Sequence, residues 1–174
     1  MRHIVFQGRK YKRVVMNIRG NALFHEILKK VNDIAVPHCP CEEEHMRYAL
    51  LELINNSLRA HREQKVVDNI HVEIRADVEE LIIIVTDKGG GFDTKILPYD
   101  LQENASGIDT NSSRFQEYRE SHGYTRFGMG LIVARKLFHR FHVTFYDEQG
   151  DVPDYHPERV VGTRIEMGIR WNNA

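Results

Sequence analysis

The chain predicts an α+β fold: a two-layer α/β sandwich in which a mixed, mostly antiparallel sheet packs on helices. Three observations carry that prediction. Apolar residues recur at helical spacing in "ALFHEILKKVNDIA" and again in "YALLELINNSLRAH". Two β-branched runs, "NIHVEIRAD" and "EELIIIVTD", are joined by a short polar link, the mark of an antiparallel hairpin. A further helix, "GMGLIVARKLFHR", and two strands, "HVTFYDE" and "VVGTRIEMGIRW", close the chain after a long polar stretch.

In order, "HIVF", the turn "GRK" and "KRVVMNIRG" read as strand, turn and strand. Gly20 or Asn21 opens the first helix, whose stripe is Leu23, Ile27, Leu28, Val31 and Ile34. The two prolines of "VPHCPC" end it. The second helix starts near Glu42, with acidic residues where the helix dipole favours them, and runs to about Arg62. The hairpin follows and leads straight into "DKGGGFD". From Thr94 to about Thr125 the chain is rich in Ser, Asn, Asp and Gly without a period, and a loop of that length suits a lid. There is no internal repeat and no dividing linker. The expectation is one domain over residues 1–174, comprising N-terminal strands and helix at 1–41, a core at 42–169 and a lid at 94–127.

Composition narrows the function. With 41% hydrophobic and 28% charged residues the chain is an ordinary globular one. Twenty-four basic and 25 acidic side chains leave a formal charge of −1, which argues against a general nucleic-acid clamp or a polybasic membrane binder. The best apolar run, "LIIIV" at Leu81–Val85, is far too short to span a bilayer. The N-terminus lacks a signal-like apolar segment, and two cysteines make no disulfide framework, so a cytoplasmic location is expected.

Four short segments bear polar groups or glycines where chemistry can use them. Glu52 and Asn56 are four apart and share a helix face, while Leu51, Ile54 and Leu58 occupy the adjoining apolar face. Such a pair can hold water, accept a proton or bind a hard cation, or it can simply be a half-exposed helix edge. Asp87 ends an apolar strand as an acceptor for an amine or a cation, and the three glycines after it let backbone approach a ligand, or merely turn. "RFGMGL" opens a helix with free amides suited to an anion, although glycine also serves there as a hinge. "GTRIEM" puts Gly162 and Thr163 at the start of the last strand, by itself an unremarked strand start.

Taken in order, E-x-x-x-N on a helix, D-x-G-x-G after the hairpin, a polar lid, G-x-G-L at a helix start and G-T in a late strand resemble the Bergerat-type (GHKL) ATP-binding fold. That superfamily includes DNA gyrase, mismatch-repair ATPases, heat-shock chaperones, histidine kinases and anti-sigma-factor serine kinases. The resemblance covers about Glu42 to Ile169. It implies ATP and Mg²⁺ as ligands, with Asn56 holding the metal against the triphosphate and Glu52 as catalytic general base. It implies that Asp87 accepts from the adenine amino group, with Gly89 and Gly91 letting the base lie against backbone. Gly128, Met129, Gly130 and Leu131 would present the phosphate-binding helix start, and Thr163 would support the adenine end. Arg59 and Arg126 become candidate phosphate contacts, Arg59 being equally readable as a solvated side chain. Lys88 is unusual inside the motif, and its side chain can simply point to solvent.

Within the superfamily the chain resembles the anti-sigma-factor serine kinases most, in length, in the elements before the E-x-x-x-N helix and in "RFGMG". The gyrase and mismatch-repair types need a second domain. "FHEILKK" lacks the proline of a histidine-kinase acceptor box, so His25 reads as a helix residue. The long lid and the extra strand "HIVF" depart from the anti-sigma pattern. The resemblance therefore implies a serine/threonine-type protein kinase that phosphorylates and binds a partner resembling an anti-anti-sigma or sigma factor. A stand-alone histidine-kinase-type ATPase module and a non-catalytic ATP-dependent switch are the alternatives. Neither nucleic acid nor membrane is expected as a partner, and homodimerisation is left open. Finally, "HCPCEEEH" gathers His38, Cys39, Cys41 and His45. C-x-C is tighter than the usual C-x-x-C zinc pair, so a loop entering a helix is the main reading, ahead of metal or a redox-sensitive thiol pair.

Overall fold

The computed structural model describes residues 1–96 and 129–172. The sheet prediction holds. Six strands, β3 (Arg13–Ile18), β5 (Ile70–Ala76), β6 (Glu80–Asp87), β7 (Arg140–Asp147), β8 (Gly150–Val152) and β9 (Gly162–Arg170), pair in the order β3-β5-β6-β9-β7-β8. Every described pairing is antiparallel, including the expected β5–β6 hairpin with Val72 opposite Val85. A second sheet of three short strands, β2-β1-β4, joins β1 (Ile4–Phe6), β2 (Arg9–Tyr11) and β4 (Ile34–Ala35). β2, β4 and β8 are only two or three residues long, too short for a period-2 pattern to register.

Helices α2 (Glu43–Gln64) and α3 (Met129–Leu137) cover one face of the large sheet, and α1 (Phe24–Asn32) packs against α2 and β4. In β5 the alternation is strict, with Ile70, Val72, Ile74 and Ala76 buried under the helices. The opposite face carries charge across the strands. Arg13 clamps Glu73 at 2.8 Å, and Arg140 holds both Glu80 and Glu166. The helix-side core is continuous from Ile4 through Leu50, Leu53 and Ile54 of α2 to Leu131 and Phe138.

α1 is shorter than the apolar stripe suggests, because Asp33 caps it and Ile34–Ala35 turns into β4. Its start is held by the Glu26 carboxylate, which accepts the Leu23 N–H at 2.9 Å. α2 matches its expected bounds within two residues. Its first turn is tied down by Glu43, which accepts the Val36 N–H at 2.7 Å and pairs with Arg47 at 2.9 Å. Its end is a left-handed Lys65 at φ 55°, after which the Val66 N–H bonds the His61 carbonyl at 2.8 Å. Among the described residues no helix is long and apolar enough to cross a membrane.

Candidate functional site

The middle of α2 faces the end of β6. Leu53, Ile54 and Leu58 are fully or nearly buried, and they fix the helix so that Asn56 and Ser57 are buried as well. A small cavity lies between them and the sheet, lined by Leu53, Asn56, Ser57, Ala60, Asp87, Gly91, Phe92, Thr163 and Ile165. Thus Asn56, Asp87, Gly91 and Thr163, distant in sequence, share one cavity. Thr163 arrives there because β9 pairs with β6 in the register that sets it opposite Asp87.

Asp87 is heavily engaged. The Ser57 hydroxyl donates to its Oδ2 at 2.7 Å, and the Gly89 N–H donates to its Oδ1 at 2.9 Å, closing an Asx turn. The Tyr146 hydroxyl donates to the Asp87 carbonyl. Burial raises the Asp87 carboxyl above its ordinary value, and the bonds from Ser57 and Gly89 oppose that rise. Burial, followed by the nearby Asp87 charge, pushes the Tyr146 phenol up to about 12.

Two glycines of "DKGGGFD" are there for contact and conformation. A Cβ on Gly89 would overlap the Ala60 methyl on α2, so the turn lies flush against the helix. Gly91 sits at φ +71°, and a Cβ there would meet Val160 Cγ1 at 2.8 Å. The Gly90 N–H bonds the Val161 carbonyl at 2.9 Å, tying the turn to the entry of β9.

Asn56 differs from its neighbours. Its Nδ2 is buried without a hydrogen-bond partner. A buried carboxamide end left unpaired costs about 1–3 kcal/mol, so it stays where a ligand completes it. The other end of the same amide, Oδ1, is an oxygen of the kind Mg²⁺ takes when substrate phosphates fill its other positions. The residues present therefore fit a Mg²⁺ site.

The other expected positions fall differently. Glu52 lies one turn before Asn56, half-buried and outside the cavity lining, with no hydrogen bond or ion pair among the described residues. Arg59 is also outside that lining. Met129 and Gly130 open α3, and the Leu131 side chain is fully buried, which leaves its backbone for ligand contact. Arg126, Gly128 and nearly all of the expected 94–127 lid lie outside the described residues. Lys88 is exposed, as anticipated, with Nζ 3.5 Å from Asp68.

Two contributors escaped the sequence reading. Ser57, given no chemical role in the sequence reading, donates the hydroxyl that orients Asp87. His61 is completely buried, with Nδ1 3.1 Å from the Asp68 carbonyl and Nε2 accepting the Lys88 N–H at 2.8 Å. Those partners fix the tautomer, since a carbonyl can only accept and an N–H only donate. The signal was their spacing. Ser57 and His61 are i, i+4 on the face of α2 that meets the D-x-G-x-G turn. His61→Leu strands the Lys88 N–H and is expected to cost about 1–3 kcal/mol of stability and loosen the turn. Thermal denaturation beside nucleotide titration checks this, with His61→Gln, whose amide oxygen can accept the same N–H, recovering part of both.

The "HCPCEEEH" segment is a loop entering α2, as read. The Cys39 and Cys41 thiols are free and 3.5 Å apart, and His45 leans on Glu42 at 3.6 Å instead. No group of three or more metal-binding side chains forms among the described residues. The hydrogen bond with Cys41 lowers the Cys39 thiol to about 7 and raises Cys41.

Comparison with known proteins agrees with this architecture. The family model described as "Histidine kinase-, DNA gyrase B-, and HSP90-like ATPase" matches residues 41–171. No curated protein matches the chain. Among solved structures, the chain is similar to one in the crystal structure of the SiaB–SiaC complex from Pseudomonas aeruginosa. The TM-score is 0.51 at 11% identity, covering 90% of this chain and 88% of that one, so the likeness is one of fold.

Proposed function

Because the chain belongs to the histidine kinase-, DNA gyrase B- and HSP90-like ATPase family, we propose that it is an ATP-dependent protein kinase that transfers the γ-phosphate to a serine or threonine of a partner protein and regulates that partner by binding it. The observation that carries the reading is the pairing of a buried, incompletely satisfied Asn56 with a pre-oriented Asp87 across one cavity. Asp87 accepts from the adenine amino group while Ser57 and Gly89 hold its two oxygens in place. Gly89 and Gly91 keep the backbone clear for the base, and Thr163 closes the opposite wall. Asn56 would hold Mg²⁺, which when bound would supply charge neutralisation at the phosphates. Glu52, one turn along and without a side-chain hydrogen bond or ion pair among the described residues, takes the proton from the acceptor hydroxyl. Met129, Gly130 and Leu131 at the start of α3, with Gly128 before them in sequence, would offer amides to the phosphates, and Arg59 and Arg126 are the proposed charge contacts to them.

A protein partner is supported by the similar fold having been solved in a complex with another protein. The two free, adjacent thiols suit a reducing cytoplasm. The test incubates the purified chain with γ-labelled ATP, Mg²⁺ and proteins captured from the source cell. Alkali-labile, acid-stable label on a partner is the expected result. Label that is acid-labile assigns a histidine acceptor, and tight ATP binding with no transfer or hydrolysis assigns a switch; either overturns the serine/threonine reading.

A further inference from the structure

At the end of the large sheet remote from Asp87 lies a second cleft, of about 700 Å³, lined by Met1, Arg2, His3, Lys10, Tyr11, Lys12, His38 and Asn172. Three of these side chains are permanent cations and two are imidazoles, and none is a carboxylate. None of the five forms an ion pair among the described residues. The cleft is thus a local excess of positive charge in a chain of net charge −1.

Two of the cations, Arg2 and Lys12, are also held in place. Arg2 donates to the Val78 and Asn172 carbonyls, each at 3.2 Å, and lies 5.1 Å over the Trp171 ring. These neutral partners anchor its guanidinium without cancelling its charge. Lys12 Nζ donates to the Arg2 carbonyl at 2.6 Å, which joins β2's end to the N-terminal segment and leaves two ammonium hydrogens free. His38 is presented from the third side by a left-handed turn at φ 65°, immediately before Cys39. The site is thus assembled from four separate stretches of chain, and each contributes an N–H donor or a wall.

We propose that this cleft binds a soluble small molecule carrying two or more phosphate groups, at a site separate from the nucleotide cavity. Like charges confined in one concavity focus a positive potential, and a multiply charged anion relieves their mutual repulsion while donors converge on it. The volume exceeds what a single inorganic phosphate fills, and Tyr11 offers a ring for an organic portion. β6 separates the two sites by seven residue steps from Asp87 to Glu80, about 24 Å at strand rise, so one ligand cannot occupy both.

The test uses the full chain carrying Asn56→Ala, which takes the metal ligand from the nucleotide site, and titrates it with inorganic pyrophosphate without Mg²⁺ by calorimetry, the Lys10 and Lys12 variants assigning the binding to this cleft. Expected is saturable binding that weakens at least tenfold with Lys10→Glu and with Lys12→Gln, while Lys29→Glu on α1 leaves it unchanged. Lys10 is exposed and unbonded among the described residues, so Lys10→Glu is expected to keep the parent's melting temperature, and a circular dichroism melt confirms it. The absence of saturable binding, or an equal loss with Lys29→Glu, overturns the site.

Discussion

Asp87→Asn is expected to lower ATP affinity about 10- to 100-fold while leaving the fold at least as stable as wild type near neutral pH. The affinity loss follows, on the proposed function, from exchanging an acceptor for a donor at the oxygen assigned to the adenine amine, since a hydrogen bond to a charged group contributes about 1.5–3 kcal/mol. The fold survives because asparagine can satisfy the same neighbours. Its Oδ1 accepts the Gly89 N–H, and its amide hydrogens donate to the Ser57 hydroxyl, which accepts as readily as it donates. Stability follows from the direction of the Asp87 shift, which is upward because burial penalises the charged form. A carboxyl that keeps its proton more tightly folded than unfolded stabilises the fold in acid, and that contribution is lost as pH rises through the folded value. Neutral asparagine has no such loss. The variant's melting temperature should therefore gain on wild type as pH climbs above the ordinary Asp value of 3.8, and the two should converge below it. Paired thermal melts from pH 3 to 8, with ATP titrations at pH 7.5, measure both halves. A variant that loses stability steadily as pH rises would show that Asp87 is held by its charge.

How much of this was readable beforehand depends on the range over which each signal acts. The α2 helix, the β5–β6 hairpin and the late helix and strands announce themselves by local period, and they stand where the pattern placed them. Asp87, Asn56, Gly91 and Thr163 were readable as separate motifs, but only the antiparallel β6–β9 register and the packing of α2 on the sheet bring them to one cavity. His61 and Ser57 were missed because their partners lie 27 and 30 residues away. No periodicity encodes a histidine ring meeting a backbone N–H across a helix–turn contact. The basic cleft was invisible for the same reason, since overall charge balance hides a local excess built from both ends of the chain.

Asn56→Ala and Glu52→Ala, four residues apart on one helix, are expected to fail in different ways. Asn56 is buried with an unpaired amide end, so its removal takes away a strained group and should leave stability close to wild type. What it removes is the carboxamide among the cavity's lining residues, and Mg²⁺-dependent ATP binding should be abolished. Glu52 is half-buried, makes no side-chain hydrogen bond or ion pair among the described residues and lies outside the cavity lining, so Glu52→Ala should shift stability by less than about 0.5 kcal/mol. ATP affinity should stay within about twofold, whereas transfer to the partner should fall by roughly 10²- to 10⁴-fold, the usual contribution of a positioned general base. Equilibrium binding of ATP with and without Mg²⁺, set beside single-turnover transfer, separates the two effects. Should Glu52→Ala retain full transfer, the proton acceptor lies elsewhere. Equal loss of binding in both variants would make Glu52 a part of the nucleotide's seat, and the division of labour along α2 would have to be redrawn.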